Sequence, residues 1–225
     1  MALDGLLLRQ LYHEINTCLP AKILKIQAVS DTELLFTLRT QQGNQKLMIS
    51  LHSVYNRINI TKESYTTLEV PGNFVMLLRK QIDGGIIRSM EQIGLDRILH
   101  MEIEARNEMG DIHVKHFYVE LMGKYANVVL VDEDMRIIDA LKRIPPFENN
   151  SRTIHPGAAY VLPAPHVGKQ DPFHHEAFDL EESFTKQFHG FSPLLSKEMQ
   201  YRIKQGQSFD EVMQEIASSN QLYIS

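Results

Sequence analysis

The sequence predicts an α+β fold, in which an antiparallel, strand-rich domain is followed by a small helical segment. Many short segments alternate apolar and polar residues, as half-buried antiparallel strands do, and a few segments place apolar residues at helical spacing. A strand-rich antiparallel assembly with few helices belongs to the α+β class. With 225 residues, of which 43% are hydrophobic, the chain can bury a sizeable core.

A helix opens the chain, and three strands follow it. Apolar residues at helical spacing predict this helix from Asp4, which can cap its first turn, to about Thr17, and Pro20 ends it. A hairpin turn at residues 41–44 joins the last two strands, and the polar residues 61–70 are predicted as a loop. The three strands are predicted at residues 22–29, 33–39 and 45–51, and apolar residues alternate with polar ones in the last two.

A second helix precedes a longer run of strands. Pro71 can open this helix, and the Asp-Gly-Gly sequence at residues 83–85 ends it. Arg79 and Lys80 fall in its last turn, where cations complement the helix dipole. The apolar patterns that follow predict strands at residues 86–93, 97–105, 112–121, 126–131 and 136–141. In the second of these, apolar and polar residues alternate, which predicts a half-buried antiparallel strand.

Charge divides the chain near residue 171. Residues 1–170 hold 19 basic and 19 acidic side chains, so the net charge of −5 belongs to residues 171–225. We therefore predict two domains with these bounds, the second of them helical. Its predicted helices span residues 176–188, residues 192–204 and a segment opened by a Ser208–Glu211 capping box.

A basic stretch precedes this boundary. Residues 142–169 carry four basic side chains and one acidic side chain, together with His155 and His166. This composition predicts a local positive surface. An ordinary solvated loop that carries a few cations is the alternative.

Three charged or polar clusters, each on a different predicted element, are candidates for function: residues 74–80, 92–97 and 120–127. In the second cluster, Asp96 and Arg97 are adjacent at a turn between strands. Such a pair can present a carboxylate and a forked guanidinium to one ligand, which suits base edges and phosphate in RNA. The alternatives are a turn-stabilising aspartate or a surface ion pair that contributes only about 0 to 1 kcal/mol.

The order and spacing of these clusters resemble the amino-terminal domain of the NFACT family. These proteins, which include RqcH and NEMF, are ribosome quality-control factors that in bacteria were long catalogued as fibronectin-binding proteins. The resemblance covers most of residues 1–165 and implies a fold like the amino-terminal domain of formamidopyrimidine-DNA glycosylases. It also implies that residues 171–225 begin a helix-hairpin-helix domain, and that the whole protein continues into a coiled coil and a second RNA-binding domain.

The resemblance implies that this domain binds tRNA. The residues that the resemblance assigns to tRNA are Asp96 and Arg97, then Glu120, Leu121 and Met122 beside them in the fold, and Arg79 and Lys80 as phosphate contacts. For Leu121 and Met122 the alternative to a tRNA contact is core packing, and for Arg79 and Lys80 it is a role at the end of a helix.

The whole protein is then expected to bind stalled large ribosomal subunits that carry peptidyl-tRNA. There it would recruit alanyl-tRNA for untemplated carboxy-terminal alanine tailing. A surface adhesin that binds fibronectin or fibrinogen is the alternative. The sequence contains no run of 18 apolar residues, and its first residues lack a secretory pattern, so we expect a cytoplasmic, ribosome-associated protein without a membrane partner.

Catalysis and cofactor binding are not expected. Glycosylases of the related fold use an amino-terminal proline as nucleophile, whereas this sequence begins Met-Ala-Leu, which disfavours an enzyme acting on nucleic acid. Cys18 is the only cysteine, which excludes an internal disulfide and a multi-cysteine zinc site. His113 and His116 would point to opposite faces of their strand, and the sequence carries no glycine-rich phosphate-binding motif.

Overall fold

The computed structural model describes residues 3–147 and 152–218, which form an α+β fold, as predicted. Within these two ranges, nine strands make one antiparallel sheet: β1 (Ala21–Ser30), β2 (Glu33–Thr40), β3 (Gly43–Ser50), β4 (Arg57–Thr61), β5 (Ile86–Gln92), β6 (Ile98–Arg106), β7 (Ile112–Glu120), β8 (Asn127–Val131) and β9 (Ile137–Ala140). The described α-helices are α1 (Gly5–Asn16), α2 (Asn73–Ile82), α3 (Phe184–Gln187), α4 (Pro193–Lys204) and α5 (Phe209–Ser218).

The sheet bends at its centre. Its strand order is β4-β3-β2-β1-β5-β6-β7-β8-β9, and β1 pairs with β5 only at Ala21–Ile87 and Lys22–Ile86. Phe36 of β2 and Phe117 of β7 have ring centroids 5.8 Å apart, although three strands separate β2 from β7 within the sheet. The two halves of the sheet therefore face each other across a shared core.

Helices α1 and α2 complete this core. The Asp4 carboxylate accepts a hydrogen bond from the Leu7 amide at 2.8 Å, which confirms the predicted cap of α1. On β6 the predicted alternation is confirmed, because alternate side chains enter the core. Each large apolar side chain buried in this way contributes roughly 1.5–3 kcal/mol relative to exposure. The buried side chains of α1, α2 and β6 in this core include Leu8, Leu11, Ile15, Phe74, Leu78, Leu99, Met101 and Ile103.

Residues 170–218 form a small helical unit with its own apolar cluster. The predicted capping box is confirmed, since the Ser208 amide donates to Glu211 Oε2 at 2.8 Å and the Glu211 amide donates to Ser208 Oγ at 3.2 Å. The cluster also takes in Leu6 of α1 and Leu95 of the β5–β6 turn. The two predicted domains are thus in contact, and the division at residue 171 stays a prediction.

The structure corrects two sequence predictions. Strand β4 was not predicted, because its two isoleucines in five residues are too short an alternation to stand out beside the polar residues around it. The predicted helix at residues 176–188 is wrong, since only Phe184–Gln187 is helical. In the rest of that segment, backbone amides donate to side-chain oxygens and not to the carbonyls of a helix. Gln170 Oε1 accepts from the Glu176 amide, and Gln187 Oε1 accepts from the Asp179 amide.

Candidate functional site

Asp96 and Arg97 lie in the turn that joins β5 to β6. The Asp96 amide donates to the Ile93 carbonyl at 3.1 Å, and the Ile93 amide donates to the Ile98 carbonyl at 3.0 Å. Gly94 has a φ of +57°, a left-handed conformation that glycine adopts without strain. The main chain therefore closes this turn without help from the Asp96 and Arg97 side chains.

Gln92 fixes the turn to the start of α1. Its Nε2 donates to the Gly5 carbonyl at 2.8 Å and to the Asp96 carbonyl at 3.0 Å. One side-chain amide thus joins two backbone segments that are far apart in sequence. The sequence signal was present, because Gln92 stands in the second cluster, but its role depends on a contact across the fold.

The side chains of Asp96 and Arg97 remain available to a ligand. Within residues 3–147 and 152–218, the Asp96 carboxylate forms neither a hydrogen bond nor an ion pair, and it does not pair with Arg97. The Arg97 guanidinium makes one long bond there, from Nη1 to the Leu3 carbonyl at 3.4 Å. Both residues are partly exposed. Among the described residues, Asp96 therefore forms neither the surface ion pair nor the turn-stabilising side-chain hydrogen bond that the sequence left open as alternatives.

The two side chains line a cleft of about 170 Å³. Its walls come from the start of α1, the β5–β6 turn and the residues around the start of α4. His166 and Lys169, from the basic stretch before the predicted domain boundary, also line it. The cleft therefore lies where the sheet domain, which comprises β1–β9 with α1 and α2, meets the helical unit.

Asp4 joins two helix starts at this cleft. Besides capping α1, its carboxylate accepts a hydrogen bond from Ser192 Oγ at 2.8 Å, and Ser192 Oγ accepts one from the Leu195 amide to cap α4. Burial raises the pKa of the Asp4 carboxyl above its ordinary value of 3.8, and the hydrogen bonds from Leu7 and Ser192 oppose that shift. The role of Asp4 is thus to hold the two helices together.

The third predicted cluster, residues 120–127, lies beside the second, as expected. Glu120 is paired with Ile98 across β6 and β7, and the Leu121 amide donates to the Arg97 carbonyl at 2.7 Å. The Leu121 side chain is fully buried, which is the packing role that the sequence left open, and Met122 is partly buried. A direct contact of these side chains with tRNA stays a prediction.

Glu120 forms a buried ion pair. Its carboxylate accepts two hydrogen bonds from the Arg152 guanidinium, one of them at 2.7 Å, and a third from the Tyr160 hydroxyl at 2.8 Å. Burial and the neighbouring Glu120 carboxylate raise the pKa of Tyr160, so its hydroxyl stays a donor. Arg152 was visible only as one cation of the basic stretch. Its partner is 32 residues away, so sequence spacing gives no signal for the pair.

Arg79 and Lys80 lie elsewhere. Arg79 Nε donates to the Ile26 carbonyl at 2.8 Å, and Lys80 Nζ lies 3.5 Å from Glu108 beyond the end of β6. Because β6 has nine residues, that end is roughly 30 Å from the turn that carries Asp96 and Arg97. The structure therefore does not bring these cations into the cleft, and their contact with phosphate stays a prediction.

A row of stacked rings follows the outer face of β6 and β7. His100 Nε2 and His116 Nδ1 are 2.9 Å apart, and the His100 ring stacks on Tyr118 at 4.6 Å between centroids. Tyr118 in turn stacks on Tyr160 at 4.0 Å. In the described parts of the chain, no three histidine, cysteine or acidic side chains converge as a metal site.

The stability of the protein should fall in mild acid because of His116. Burial, followed by the neighbouring His100, lowers the pKa of His116 below its ordinary value of 6.5. The unfolded chain therefore binds more protons than the folded chain as the pH drops below 6.5, which favours unfolding. We expect urea midpoints measured between about pH 5 and pH 8 to fall on the acid side, and His116→Gln to flatten that fall. The exposed His13→Gln is the matched control, and equal slopes in wild type and His116→Gln would contradict the prediction.

The sequence profile described as NFACT N-terminal and middle domains matches residues 4–223. This chain belongs to the NFACT family. Relatives include the Rqc2 homolog RqcH of Bacillus subtilis (strain 168), 38% identical over 90% of this chain and 38% of the relative, and the Rqc2 homolog RqcH of Streptococcus suis, 35% identical over 77% and 32%. This NFACT chain thus spans about a third of the length of these curated relatives.

Solved structures share this NFACT fold. The N-terminal part of the fibronectin/fibrinogen-binding protein of Streptococcus suis has a TM-score of 0.86 and 28% identity, and the match covers 97% of this chain and 85% of that one. The fibrinogen-binding protein of Staphylococcus aureus has a TM-score of 0.80 and 29% identity, covering 96% and 83%. Among the residues that the structure describes, no helix is both long and apolar enough to span a membrane.

Proposed function

We propose that this chain is the tRNA-binding module of a ribosome quality-control factor. The whole protein binds stalled large ribosomal subunits with peptidyl-tRNA and recruits alanyl-tRNA for untemplated carboxy-terminal alanine tailing in the cytoplasm. The observation that carries the proposal is the Asp96–Arg97 pair. Within residues 3–147 and 152–218 its two charged groups have almost no protein partners, and they line a cleft in a chain that is 38% identical to an RqcH protein.

The chemistry of the pair fits RNA. The Asp96 carboxylate can accept hydrogen bonds from an exocyclic amino group of a base, and the Arg97 guanidinium can donate to a phosphate or to base acceptors. The backbone bonds of the turn fix the main chain from which both side chains extend, at one end of β5 and β6, so the main chain needs little ordering when RNA binds. Glu120 and Arg152 hold the adjoining segment in place.

The module acts by positioning rather than by catalysis. Holding two reactants in a productive geometry is itself a source of rate, so a factor that orients tRNA needs no catalytic side chain of its own. Peptide-bond formation stays with the ribosome. In this proposal the protein is not an enzyme and requires no cofactor.

The double variant Asp96→Ala/Arg97→Ala should lose tRNA binding and keep its fold. We expect the affinity for alanine-accepting tRNA to fall at least about tenfold, since one specific arginine contact is worth roughly 1–3 kcal/mol. The unfolding midpoint should hardly change, because the main chain closes the turn. Filter binding and thermal unfolding measure the two effects, and the same variant in the whole protein should abolish alanine tailing in cells.

A matched control is Asp31→Ala/Arg39→Ala, which removes the same two side-chain types from exposed positions outside the cleft. It should bind tRNA like the wild type. Normal tailing and normal tRNA affinity in the Asp96→Ala/Arg97→Ala variant would contradict the site.

A second candidate is binding of fibronectin or fibrinogen. It is favoured by the names of the similar solved structures, which are described as fibronectin- or fibrinogen-binding proteins. Immobilised fibronectin tests it directly. Binding to fibronectin that resists high salt, without a tRNA signal, would support this adhesin function over the tRNA proposal, because RNA binding weakens steeply with salt.

A further inference from the structure

Lys169 shares the cleft with Asp96 and Arg97. It lies 72 residues beyond Arg97 in the sequence, yet it lines the same cavity of about 170 Å³. Within the described ranges, its ammonium group forms no ion pair and no hydrogen bond, although the residue is partly buried. A cation held at a cleft without a protein partner is available to an anionic ligand.

The backbone beside Lys169 is held in place. The amide of the next residue, Gln170, donates to the Gln187 carbonyl at 2.7 Å, and the Gln170 carbonyl accepts from the His189 amide at 3.0 Å. These two bonds attach the end of the basic stretch to the helical unit. Lys169 is therefore placed by main-chain hydrogen bonds, unlike a cation on a free linker.

The charged side chains that line the cleft favour an anionic group of a ligand, and they leave one carboxylate, that of Asp96, open to the same ligand. Arg97 and Lys169 supply the positive groups, and Asp96 and Asp4 supply the negative ones. Asp4 is already committed to the cap of α1 and to Ser192, where the helix start offsets its charge. Asp96 is then left as the carboxylate open to a ligand, and Arg97 and Lys169 are the two cations that line the same cleft.

We propose that Lys169 binds a backbone phosphate of the RNA that is held at Asp96 and Arg97. The RNA would then lie between the sheet domain and the helical unit, and both would contribute to one site. This inference rests on the proposed tRNA-binding function and extends it to the linker. Phosphate contacts of this kind set the position of an RNA and carry no sequence information. In this proposal, contacts of Asp96 and Arg97 with the bases recognise the sequence.

The salt dependence of tRNA binding, measured with the full 225-residue chain, tests the inference. We expect Lys169→Glu to weaken binding of alanine-accepting tRNA about five- to tenfold and to reduce the slope of log affinity against log salt by about 0.7–0.9, the value for one phosphate contact. Lys169→Arg, which keeps the charge, should bind nearly like the wild type. Lys62→Glu makes the same charge reversal at an exposed site outside the cleft and should change the slope less.

The outcomes separate the inference from the function on which it rests. If Lys169→Glu matches Lys62→Glu while Asp96→Ala/Arg97→Ala still loses binding, the inference is overturned and the proposed function stands. If the wild type binds no tRNA, or if Asp96→Ala/Arg97→Ala binds as well as the wild type, both the proposed function and the inference are overturned. Thermal unfolding of each variant, which should match the wild type, excludes loss of fold as the cause.

Discussion

Gly5→Ala should destabilise the protein strongly. A Cβ atom at this position would lie 1.8 Å from the Leu95 carbonyl oxygen and 2.8 Å from Gly190 Cα. Both neighbours are backbone atoms, so no side-chain rotation can relieve the clash, and the helical unit or the β5–β6 turn must move. We expect the free energy of unfolding to fall by about 3 kcal/mol or more, and the melting temperature by roughly 6–12 °C.

The same substitution should also weaken tRNA binding. Leu95 precedes Asp96 directly, and the Gly5 amide donates to the Gly190 carbonyl at 3.0 Å, so a shift here disturbs two walls of the cleft. Gly72→Ala is the matched control, because it lies at the start of α2 and an added Cβ meets no atom within 4 Å. It should cost at most about 1 kcal/mol. A melting temperature of Gly5→Ala equal to that of Gly72→Ala would contradict the packing argument.

Arg152→Ala should be the second large loss of stability. The side chains of Arg152 and Glu120 are 13% and 2% exposed. Among the residues that the structure describes, removing the guanidinium leaves the buried carboxylate with the Tyr160 hydroxyl as its one remaining side-chain partner. Breaking a buried pair from one side costs about 3–5 kcal/mol. Urea unfolding should show this as a lower midpoint with an unchanged slope.

Two further variants test the cause of this loss. The triple variant Glu120→Leu/Arg152→Met/Tyr160→Phe removes both charges and the buried hydroxyl that would lose its acceptor. It should recover most of the stability, because apolar residues can replace a buried pair at little cost. Arg88→Ala breaks an exposed pair with Glu104, whose atoms are 2.7 Å apart, and should change stability little. If Arg152→Ala were as mild as Arg88→Ala, the buried pair would not support this part of the fold.

Local sequence patterns were sufficient for most of the elements. The cap at Asp4, the alternation along β6 and the capping box before α5 each depend on residues within one turn or one strand, and all were predicted. Strand β4 and the segment before α3 were not predicted correctly. In both, partners outside the segment itself decide the structure: β3 pairs with β4, and the side chains of Gln170 and Gln187 hold residues 176–179 in a non-helical form.

The candidate site was predicted only in part. Asp96 and Arg97 could be selected because an acidic and a basic residue at a turn form a local pattern, and the family resemblance placed Glu120 near them. Arg152, Tyr160 and Lys169 could not be selected in this way. Each lies 32 or more residues from its partner or from the pair, and no periodicity connects them.

The sequence by itself determined the α+β class, the caps and the family, since these depend on residue type, short spacing and the order of motifs. Tertiary structure alone decided that the sheet bends on itself, that Glu120 is neutralised by Arg152, and that the starts of α1 and α4 meet at Asp4 to form the cleft. The physical reason is that hydrogen bonds, ion pairs and close packing depend on distances of 3–4 Å. For residues far apart in the chain, only the folded backbone sets those distances.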